Sequence, residues 1–250
     1  MSEVIWSHDS ESLGRETSLR IYFPDSKHES TPIESLDKTE YLLALHGLGG
    51  NSRQLNSYLP LEYLSSKFNT TVIVPDGYRS FYTNNNEEIE KYLCKELPEK
   101  LNKYFTIPHP KDNKWNITGI SMGGFGSIYL SSKYKNLFNK ICPISSALSR
   151  DLLIDGSEDE DFILEHEKNK DWPWKKDQSH ENVNFDANQK ILILCGKEDP
   201  FYKDNEDFVK NNPNINSYFE DGDHSWIYWQ KAIIRSFKFV RDLDYKDLSL

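Results

Sequence analysis

Long apolar runs are missing from this sequence of 250 residues. No stretch approaches the roughly 20 apolar residues that a membrane-spanning helix needs. The N-terminal segment, MSEVIWSHDSE, has neither the basic start nor the apolar centre of a secretion signal. We therefore predict a cytoplasmic protein that has no membrane partner.

Cysteine is scarce, and its spacing is not that of a disulfide framework or a zinc site. Cys94, Cys142 and Cys195 are odd in number, lie far apart, and fall within or beside apolar segments. Such a set is typical of buried, reduced thiols. The sequence thus predicts no metal site.

Positive charge is in deficit, because 30 Lys and Arg side chains face 40 Asp and Glu side chains, for a formal net charge of -10. Since like charges repel, this balance opposes binding to nucleic acid or to an anionic membrane. The acidic run at 158–161 lacks the spacing of a calcium loop and is interpreted as a solvated face. We expect a small molecule, rather than a nucleic acid, as the partner.

Short apolar runs alternate with segments of helical spacing along most of the chain. This alternation predicts an α/β fold in which a mainly parallel sheet is covered by helices on both faces. Two early runs, 4–7 and 19–23, are predicted to form a β-hairpin that brings the sheet to eight strands. We expect residues 1–250 to form a single domain. The other predicted strands are 41–45, 71–75, 115–120, 140–144, 191–195 and 217–220.

Helices are predicted between most of these strands. Apolar positions recur at helical spacing over 52–68, and a second helix over 87–105 is expected to be kinked or divided at Pro98. A third helix follows the strand 115–120 and ends near Tyr134. The last one, over 226–240, is amphipathic.

The region 149–188 interrupts the alternation of strands and helices. It is polar and acidic, and it contains Trp172 and Trp174. An insertion at this point would emerge at the carboxyl end of a strand, where open α/β sheets place their sites. We predict that it forms a lid-like insertion over the site.

One serine lies between a predicted strand and a dense group of glycines, in the segment WNITGISMGGFG at 115–126. Its surroundings, GISMG at 119–123, fit the G-x-S-x-G pattern of a nucleophile elbow. Glycines two residues before and after Ser121 would remove clashes where a strand turns sharply into a helix. The pattern is short enough to arise by chance, so a purely structural turn is the alternative.

The same turn offers a backbone donor for a developing oxyanion. Met122 would lie at the N-terminus of a helix, where amide N–H groups lack intrahelical partners. A second donor, the Leu48 amide, is expected from the glycine-rich segment HGLGG at 46–50. We interpret His46 as a structural histidine that holds this loop, rather than as a base.

A serine nucleophile needs a histidine base and a carboxylate that orients the histidine. Asp199 follows the seventh predicted strand and His224 follows the eighth, so both are predicted at the carboxyl edge of the sheet. Glu198 and Asp223 are the alternative carboxylates. Asp199 is favoured, because Glu198 would point elsewhere and Asp223 directly adjoins the histidine.

With these residues assembled, the sequence resembles the α/β-hydrolase superfamily, and within it the compact esterases grouped with esterase D, tributyrin esterases and feruloyl esterases. The resemblance spans nearly the whole chain. It rests on the motifs HGLGGN at 46–51, GISMGGFG at 119–126, GKEDPFY at 196–202 and DHSWIYWQ at 223–230.

This resemblance implies hydrolysis of carboxylic esters with neither a metal nor an organic cofactor. It implies Ser121, Asp199 and His224 as a catalytic triad, and the Leu48 and Met122 amides as an oxyanion hole. The expected substrate is a small ester with a short acyl chain or an aryl group.

Several alternatives keep the same fold. S-formylglutathione hydrolases cleave a thioester, and mycolyltransferases pass an acyl group to a sugar. The loop HGLGGN at 46–51 differs from the cysteine-bearing version that we associate with the glutathione enzymes. A serine peptidase and a non-catalytic binding protein are further alternatives, and the sequence leaves open whether the chain forms a homo-oligomer.

Aromatic side chains are expected to line the substrate pocket. Those that follow the strand 71–75 would lie on the same side of the sheet as the triad, and the others come from the insertion and the last helix. Together they would make a wall suited to a short acyl chain or an aryl group. Ordinary packing is the alternative for each of them. The candidates are Tyr78, Phe81, Tyr82, Trp172, Trp174 and Trp226.

Overall fold

The computed structural model describes residues 2–25, 38–84, 87–148 and 183–250. Its strands are β1 (Ser2–Ser10), β2 (Arg15–Phe23), β3 (Glu40–Leu45), β4 (Thr70–Pro75), β5 (Trp115–Ile120), β6 (Phe138–Ile144), β7 (Lys190–Gly196) and β8 (Asn216–Glu220). Its helices are α1 (Ser52–Tyr58), α2 (Leu61–Lys67), α3 (Ile89–Lys91), α4 (Leu97–Phe105), α5 (Met122–Lys133), α6 (Tyr202–Asn211) and α7 (Trp226–Val240).

All eight strands belong to one sheet, in the order β1-β2-β4-β3-β5-β6-β7-β8. β1 and β2 form an antiparallel hairpin, and β2 also runs antiparallel to β4. Every other neighbouring pair is parallel. The prediction of a mainly parallel, eight-stranded sheet with an opening hairpin is confirmed.

Helices cover both faces of the sheet, as the sequence predicts. Side chains alternate along β3, so that Leu43 and Leu45 pack with residues of α4 and α5, whereas Leu42 and Ala44 pack with residues of α1, α2 and α7. All positions of the central strands β4 and β5 are buried. Continuous apolar runs are therefore required in these strands, because neither face meets water.

The predicted helix over 52–68 is divided into α1 and α2. Leu59, between them, has φ -115° and ψ 136°, which is extended backbone. It precedes Pro60, and the proline ring disfavours the helical conformation at the residue before it. The apolar residues keep their helical spacing across the break, so the sequence pattern alone does not reveal it.

Of the predicted kink or division at Pro98, the division is wrong. Helical backbone continues from α3 through a π-helical turn (Tyr92–Glu96) into α4, which contains the proline in its first turn. The Leu97 amide donates to the Tyr92 carbonyl, five residues back. We attribute the continuity to this wider turn, which makes room for a ring that would clash in a regular α-helix.

All three cysteines are buried and free, as the sequence predicts. Burial raises the pKa of the Cys94 and Cys142 thiols well above the usual value of a thiol.

In the described ranges, no helix has the length and apolar character to cross a membrane. Of the predicted insertion at 149–188, only 183–188 is described.

Candidate active site

Ser121 occupies a sharp turn between β5 and α5. Its backbone has φ 58° and ψ -113°, which is left-handed and uncommon for a residue with a side chain. A Cβ on Gly119 would lie 2.2 Å from the Gly123 carbonyl oxygen, and one on Gly123 would lie 2.2 Å from the Leu45 carbonyl oxygen. The two glycines are therefore needed for the close approach that the sequence predicts.

A continuous chain of hydrogen bonds joins Ser121, His224 and Asp199. The Nε2 atom of His224 lies 3.1 Å from the Oγ atom of Ser121, and its Nδ1 atom lies 2.9 Å from an oxygen of Asp199. The three residues follow β5, β8 and β7, whose carboxyl ends meet at one edge of the parallel sheet. The structure thus brings together the three side chains singled out from the sequence.

Neither alternative carboxylate is bonded to the histidine in this arrangement. Glu198 accepts a hydrogen bond from the Gly222 amide at 2.5 Å, and Asp223 accepts one from the Ser225 hydroxyl at 2.5 Å. The side chain of Asp199 is completely buried, and its second oxygen accepts from the Phe201 amide at 2.8 Å. Asp199 is held by both oxygens.

These partners determine the tautomer of His224. A carboxylate is only an acceptor, so Nδ1 carries a proton and donates it to Asp199. The Nε2 atom is then left as an acceptor for the hydroxyl of Ser121. This is the tautomer that a general base next to a nucleophilic serine requires.

Aromatic rings fix the imidazole of His224 from two directions. The ring of Trp229 packs edge-on against the imidazole, with 4.9 Å between the ring centres. The ring of Phe201 also packs against it, with 5.2 Å between the centres. The indole N–H of Trp229 donates to the hydroxyl of Ser145 at 3.1 Å. Ser145 itself has a left-handed φ of 48°. Sequence analysis missed these supporting residues, because the motif that contains Trp229 does not indicate which way its ring points.

The loop that carries Leu48 is held next to the serine turn. The Gly50 amide donates to the Gly47 carbonyl at 3.1 Å, and Gly49 between them has φ 74°, as in a type II turn. A Cβ on Gly47 would lie 3.6 Å from the Cβ of Ser121. The Leu48 amide takes no part in the hydrogen bond that closes this turn.

His46 supports this loop, as predicted, and is not bonded to the serine. The Gly77 amide donates to its Nε2 atom at 2.8 Å. Its Nδ1 atom therefore carries the proton and donates to the Gly47 carbonyl at 2.8 Å. Since the carbonyl and the N–H of a trans peptide point in opposite directions, bonds to the Gly47 oxygen also orient the Leu48 amide.

The family model Esterase, described as "Putative esterase", matches residues 10–240 of the chain. The chain belongs to this family. It is a serine hydrolase that acts on carboxylic esters, which is the class that the sequence predicts.

Individual relatives agree with this assignment. This esterase is 27% identical over 256 residues to an acetyl esterase from Caldicellulosiruptor saccharolyticus, covering 89% of this chain and 90% of the relative. Its structure is similar to that of FphF, a fluorophosphonate-binding serine hydrolase of Staphylococcus aureus, with a TM-score of 0.79, 24% identity, and coverage of 96% and 98% of the two chains. It is also similar to the S-formylglutathione hydrolase FrmB from Staphylococcus aureus, with a TM-score of 0.77, 22% identity, and coverage of 96% and 98%. The α/β-hydrolase fold is confirmed.

The aromatic residues proposed for the pocket of the esterase differ in how far they are exposed to solvent. Phe81 and Tyr82 are completely buried, so the packing alternative holds for both. Tyr78 is 41% exposed, and the guanidinium of Arg15 lies 3.9 Å from the centre of its ring. Tyr78 therefore remains a candidate for contact with a substrate.

Trp226 is half-buried and stacks on Tyr58 at 4.4 Å. It also meets Trp229 edge-on at 4.9 Å, one ring away from the imidazole of His224. Trp172 and Trp174 lie outside the described residues. Among those residues, no group of three or more His, Cys, Asp or Glu side chains could hold a metal ion.

The close approach at Gly123 predicts a stability difference between two glycine variants. Gly123→Ala should lower the free energy of unfolding by about 1–3 kcal/mol, because its Cβ would overlap backbone atoms of β3. Gly47→Ala is the matched control, since a Cβ there has only ordinary contacts, at 3.5 Å and beyond. Urea unfolding followed by tryptophan fluorescence compares the two. Equal losses would contradict the proposed crowding.

The environment of His46 predicts an unusual titration. Burial lowers its pKa below the usual value of 6.5, and protonation would also remove the acceptor of the Gly77 amide. The ring should therefore stay neutral, with its proton on Nδ1, as the pH falls from 7.5 through 6.5. Below pH 6.5 the unfolded state binds more protons at this site, so His46 makes stability fall with decreasing pH.

Long-range ¹H–¹⁵N NMR spectra measure both the tautomer and the titration of His46. The signal is assigned by comparison with His46→Gln. A proton on Nε2 at neutral pH, or a midpoint at or above pH 6.5, would show that the assigned bonds are wrong.

Proposed function

We propose that this esterase hydrolyses esters with a short acyl chain or an aryl group, using Ser121, Asp199 and His224 as its catalytic triad. The observation that carries the proposal is the continuous chain of hydrogen bonds from the Ser121 hydroxyl through His224 to the buried Asp199. The amides of Leu48 and Met122 form the oxyanion hole. Met122 is the first residue of α5, where an N–H has no intrahelical acceptor.

Acylation begins when the Oγ atom of Ser121 attacks the ester carbonyl carbon. The hydroxyl proton passes to the Nε2 atom of His224 as the new C–O bond forms, and the carbonyl oxygen becomes an oxyanion. The two backbone amides stabilise this negative charge. The bond to the alcohol then breaks, and His224 returns the proton to the departing alkoxide.

Deacylation repeats these steps with water. His224 takes a proton from a water molecule as its oxygen attacks the acyl-enzyme, and a second oxyanion forms in the same place. The bond to Ser121 breaks, and the serine recovers its proton from the imidazolium. The products are the free acid and the restored enzyme.

Asp199 acts through the histidine. Its oxygen holds the Nδ1 proton, and its negative charge favours the imidazolium that forms in each step. Because the carboxylate is shielded from water, this attraction is weakened less than it would be at the surface.

The preference for a short acyl group is supported by the likeness to an acetyl esterase. We propose Tyr78, Trp172, Trp174 and Trp226 as substrate-binding residues. Exposure of the Tyr78 ring supports its inclusion. Contact of Trp226 with Trp229, whose ring packs against His224, supports its inclusion.

A thioester is the second candidate substrate, and the structural likeness to an S-formylglutathione hydrolase favours it over acyl transfer to a sugar. The same triad chemistry serves both esters and thioesters, because only the leaving group differs.

Three expectations from the sequence stay predictions: a cytoplasmic location, a single domain and the absence of a nucleic-acid partner. Whether the chain forms a homo-oligomer stays open.

The first prediction of this proposal concerns the nucleophile. Wild-type enzyme should hydrolyse p-nitrophenyl esters from acetyl to decanoyl at rates that decline with chain length. Ser121→Ala should lower kcat by about 10⁶-fold, as nucleophile removal does in comparable triads. Initial rates measure the dependence on chain length and the loss of kcat. Labelling by a fluorophosphonate tests separately whether the serine reacts. Ser57→Ala, on the exposed face of α1, is the control.

Three results would count against the proposal. Hydrolysis that survives in Ser121→Ala would assign the nucleophile elsewhere. Wild-type enzyme that neither hydrolyses these esters nor takes up the fluorophosphonate would favour the non-catalytic alternative. Faster cleavage of an acyl thioester than of the matching ester would favour the thioesterase.

A second prediction separates two adjacent carboxylates. Asp199→Asn should lower kcat by about 10⁴-fold, because the amide changes the tautomer of His224. Glu198→Gln should leave kcat within about twofold, since glutamine keeps the oxygen that accepts from the Gly222 amide. Steady-state kinetics of both variants make the comparison. Similar losses in the two would contradict the assignment of Asp199.

A further inference from the structure

The loop after β4 contains an unusual concentration of left-handed backbone. Tyr78, Phe81 and Tyr82 have φ angles of 51°, 48° and 58°. These conformations are sparsely populated by residues with side chains, and they persist only where the surrounding structure over-determines them. In this loop, the result of the conformation is the placement of the Tyr82 side chain.

The ring of Tyr82 fills a space bordered by two glycines. A Cβ on Gly77 would lie 2.2 Å from the ring, and one on Gly126 would lie 2.4 Å from it. Gly126 belongs to α5, the helix that begins directly after Ser121. Tyr82 is thus packed between that helix and Gly77 of its own loop, with no exposure to solvent.

The hydroxyl of Tyr82 reaches the loop of the oxyanion hole. It donates to the His46 carbonyl at 2.8 Å. Burial raises the pKa of this phenol well above its usual value, so the donor keeps its proton throughout the working range of an esterase. Gly123 also lies close to this carbonyl, since a Cβ on it would be 2.9 Å from the oxygen.

Fixing the His46 carbonyl has a consequence two residues later. This carbonyl belongs to the peptide that joins His46 to Gly47, and the next peptide carries the Leu48 amide. The second peptide is oriented by the bond from the His46 ring to the Gly47 oxygen. Two successive peptides are therefore constrained, which leaves little freedom for the direction of the Leu48 N–H.

The loop after β4 also holds the far end of this segment. An oxygen of Asp76 accepts from the Ser52 amide at 2.6 Å, at the start of α1. The Gly77 amide donates to the His46 ring at 2.8 Å. Residues 46–52 are thus held at both ends by the loop that contains Tyr82.

We propose that Tyr82 is a positioning residue of the oxyanion hole. Its hydroxyl fixes the His46 carbonyl and, through the next peptide, aims the Leu48 amide at the oxyanion. The inference rests on the proposed function, because it assumes that this amide stabilises the charge formed during attack by Ser121.

The test is Tyr82→Phe, which removes one oxygen and keeps the ring in its cavity. The concentration of active sites is measured by titration with a fluorophosphonate, so that kcat refers to active enzyme alone. With p-nitrophenyl acetate, this kcat should fall about tenfold, and KM should stay within about twofold. The loss is expected to be smaller than the 10²–10³-fold effect of deleting an oxyanion donor, because the donor is only misdirected. A trifluoromethyl ketone, whose adduct with serine carries an oxyanion, should bind about tenfold more weakly.

The inhibitor separates a positioning role from a merely structural one. Tyr22→Phe is the matched control, since Tyr22 is equally buried and its hydroxyl bonds to Glu3 at 2.9 Å, away from the site. This variant should keep kcat and inhibitor affinity within about twofold of wild type. Wild-type kcat and inhibitor affinity in Tyr82→Phe would overturn the inference.

A second variant covers the case in which Tyr82→Phe yields too few active sites to measure. Gly126→Ala keeps the hydroxyl but pushes the ring away from α5, and should give the same paired loss in kcat and inhibitor affinity. An unchanged pair would overturn the inference. Wild-type hydrolysis that disappears in Ser121→Ala would still support the proposed function, so the two failures are distinguishable.

Discussion

The close packing of backbone against backbone at the carboxyl ends of β3 and β5 governs this active site. Gly123, in the first turn of α5, faces the carbonyls of Leu45 and His46 with no room for a side chain. This contact sets the distance between the serine turn and the loop that follows β3. Since Leu48 and Met122, the proposed oxyanion donors, lie on these two segments, the packing determines how far apart their amides can be.

The parallel sheet supplies the remaining geometry. β5, β6, β7 and β8 lie side by side and point the same way, so the loops that follow them meet along one edge. Ser121, Ser145, Asp199 and His224 come from these four loops in that order. His224 therefore reaches across the edge to Ser121, and the ring of Trp229 connects it to the loop after β6. Residues distant in sequence acquire hydrogen-bond geometry without a long or flexible connection.

Local chemistry made part of this site predictable. Glycines around Ser121 report a steric requirement, and Asp199 and His224 each follow an apolar run that ends in a loop, so chain order and strand ends were enough to select them. The supporting residues were not predictable in this way. Tyr82 follows the same strand as the exposed Tyr78, and only the left-handed backbone of the loop turns one ring inward and the other outward. No pattern in the sequence reports that choice.

The same limit explains the errors in the helices. Pro60 breaks a helix whose apolar spacing continues past it, whereas Pro98 breaks nothing, because a wider turn precedes it. Proline forbids a particular local geometry, but the neighbouring backbone decides whether that geometry is avoided by ending the helix or by widening it. Packing against the sheet makes this choice, and it depends on contacts that are distant in sequence.

Left-handed backbone in the described residues is concentrated around the proposed active site. Of the eight described non-glycine residues with positive φ, five follow the carboxyl ends of strands: Tyr78, Phe81, Tyr82, Ser121 and Ser145. Such backbone is tolerated only where surrounding contacts compensate for it, and here the compensation comes from buried rings and from hydrogen bonds to neighbouring loops. Packing beneath these loops therefore helps to hold the serine turn and the loop that carries Leu48. In this esterase, the precision of the site depends on the stability of the core beneath it.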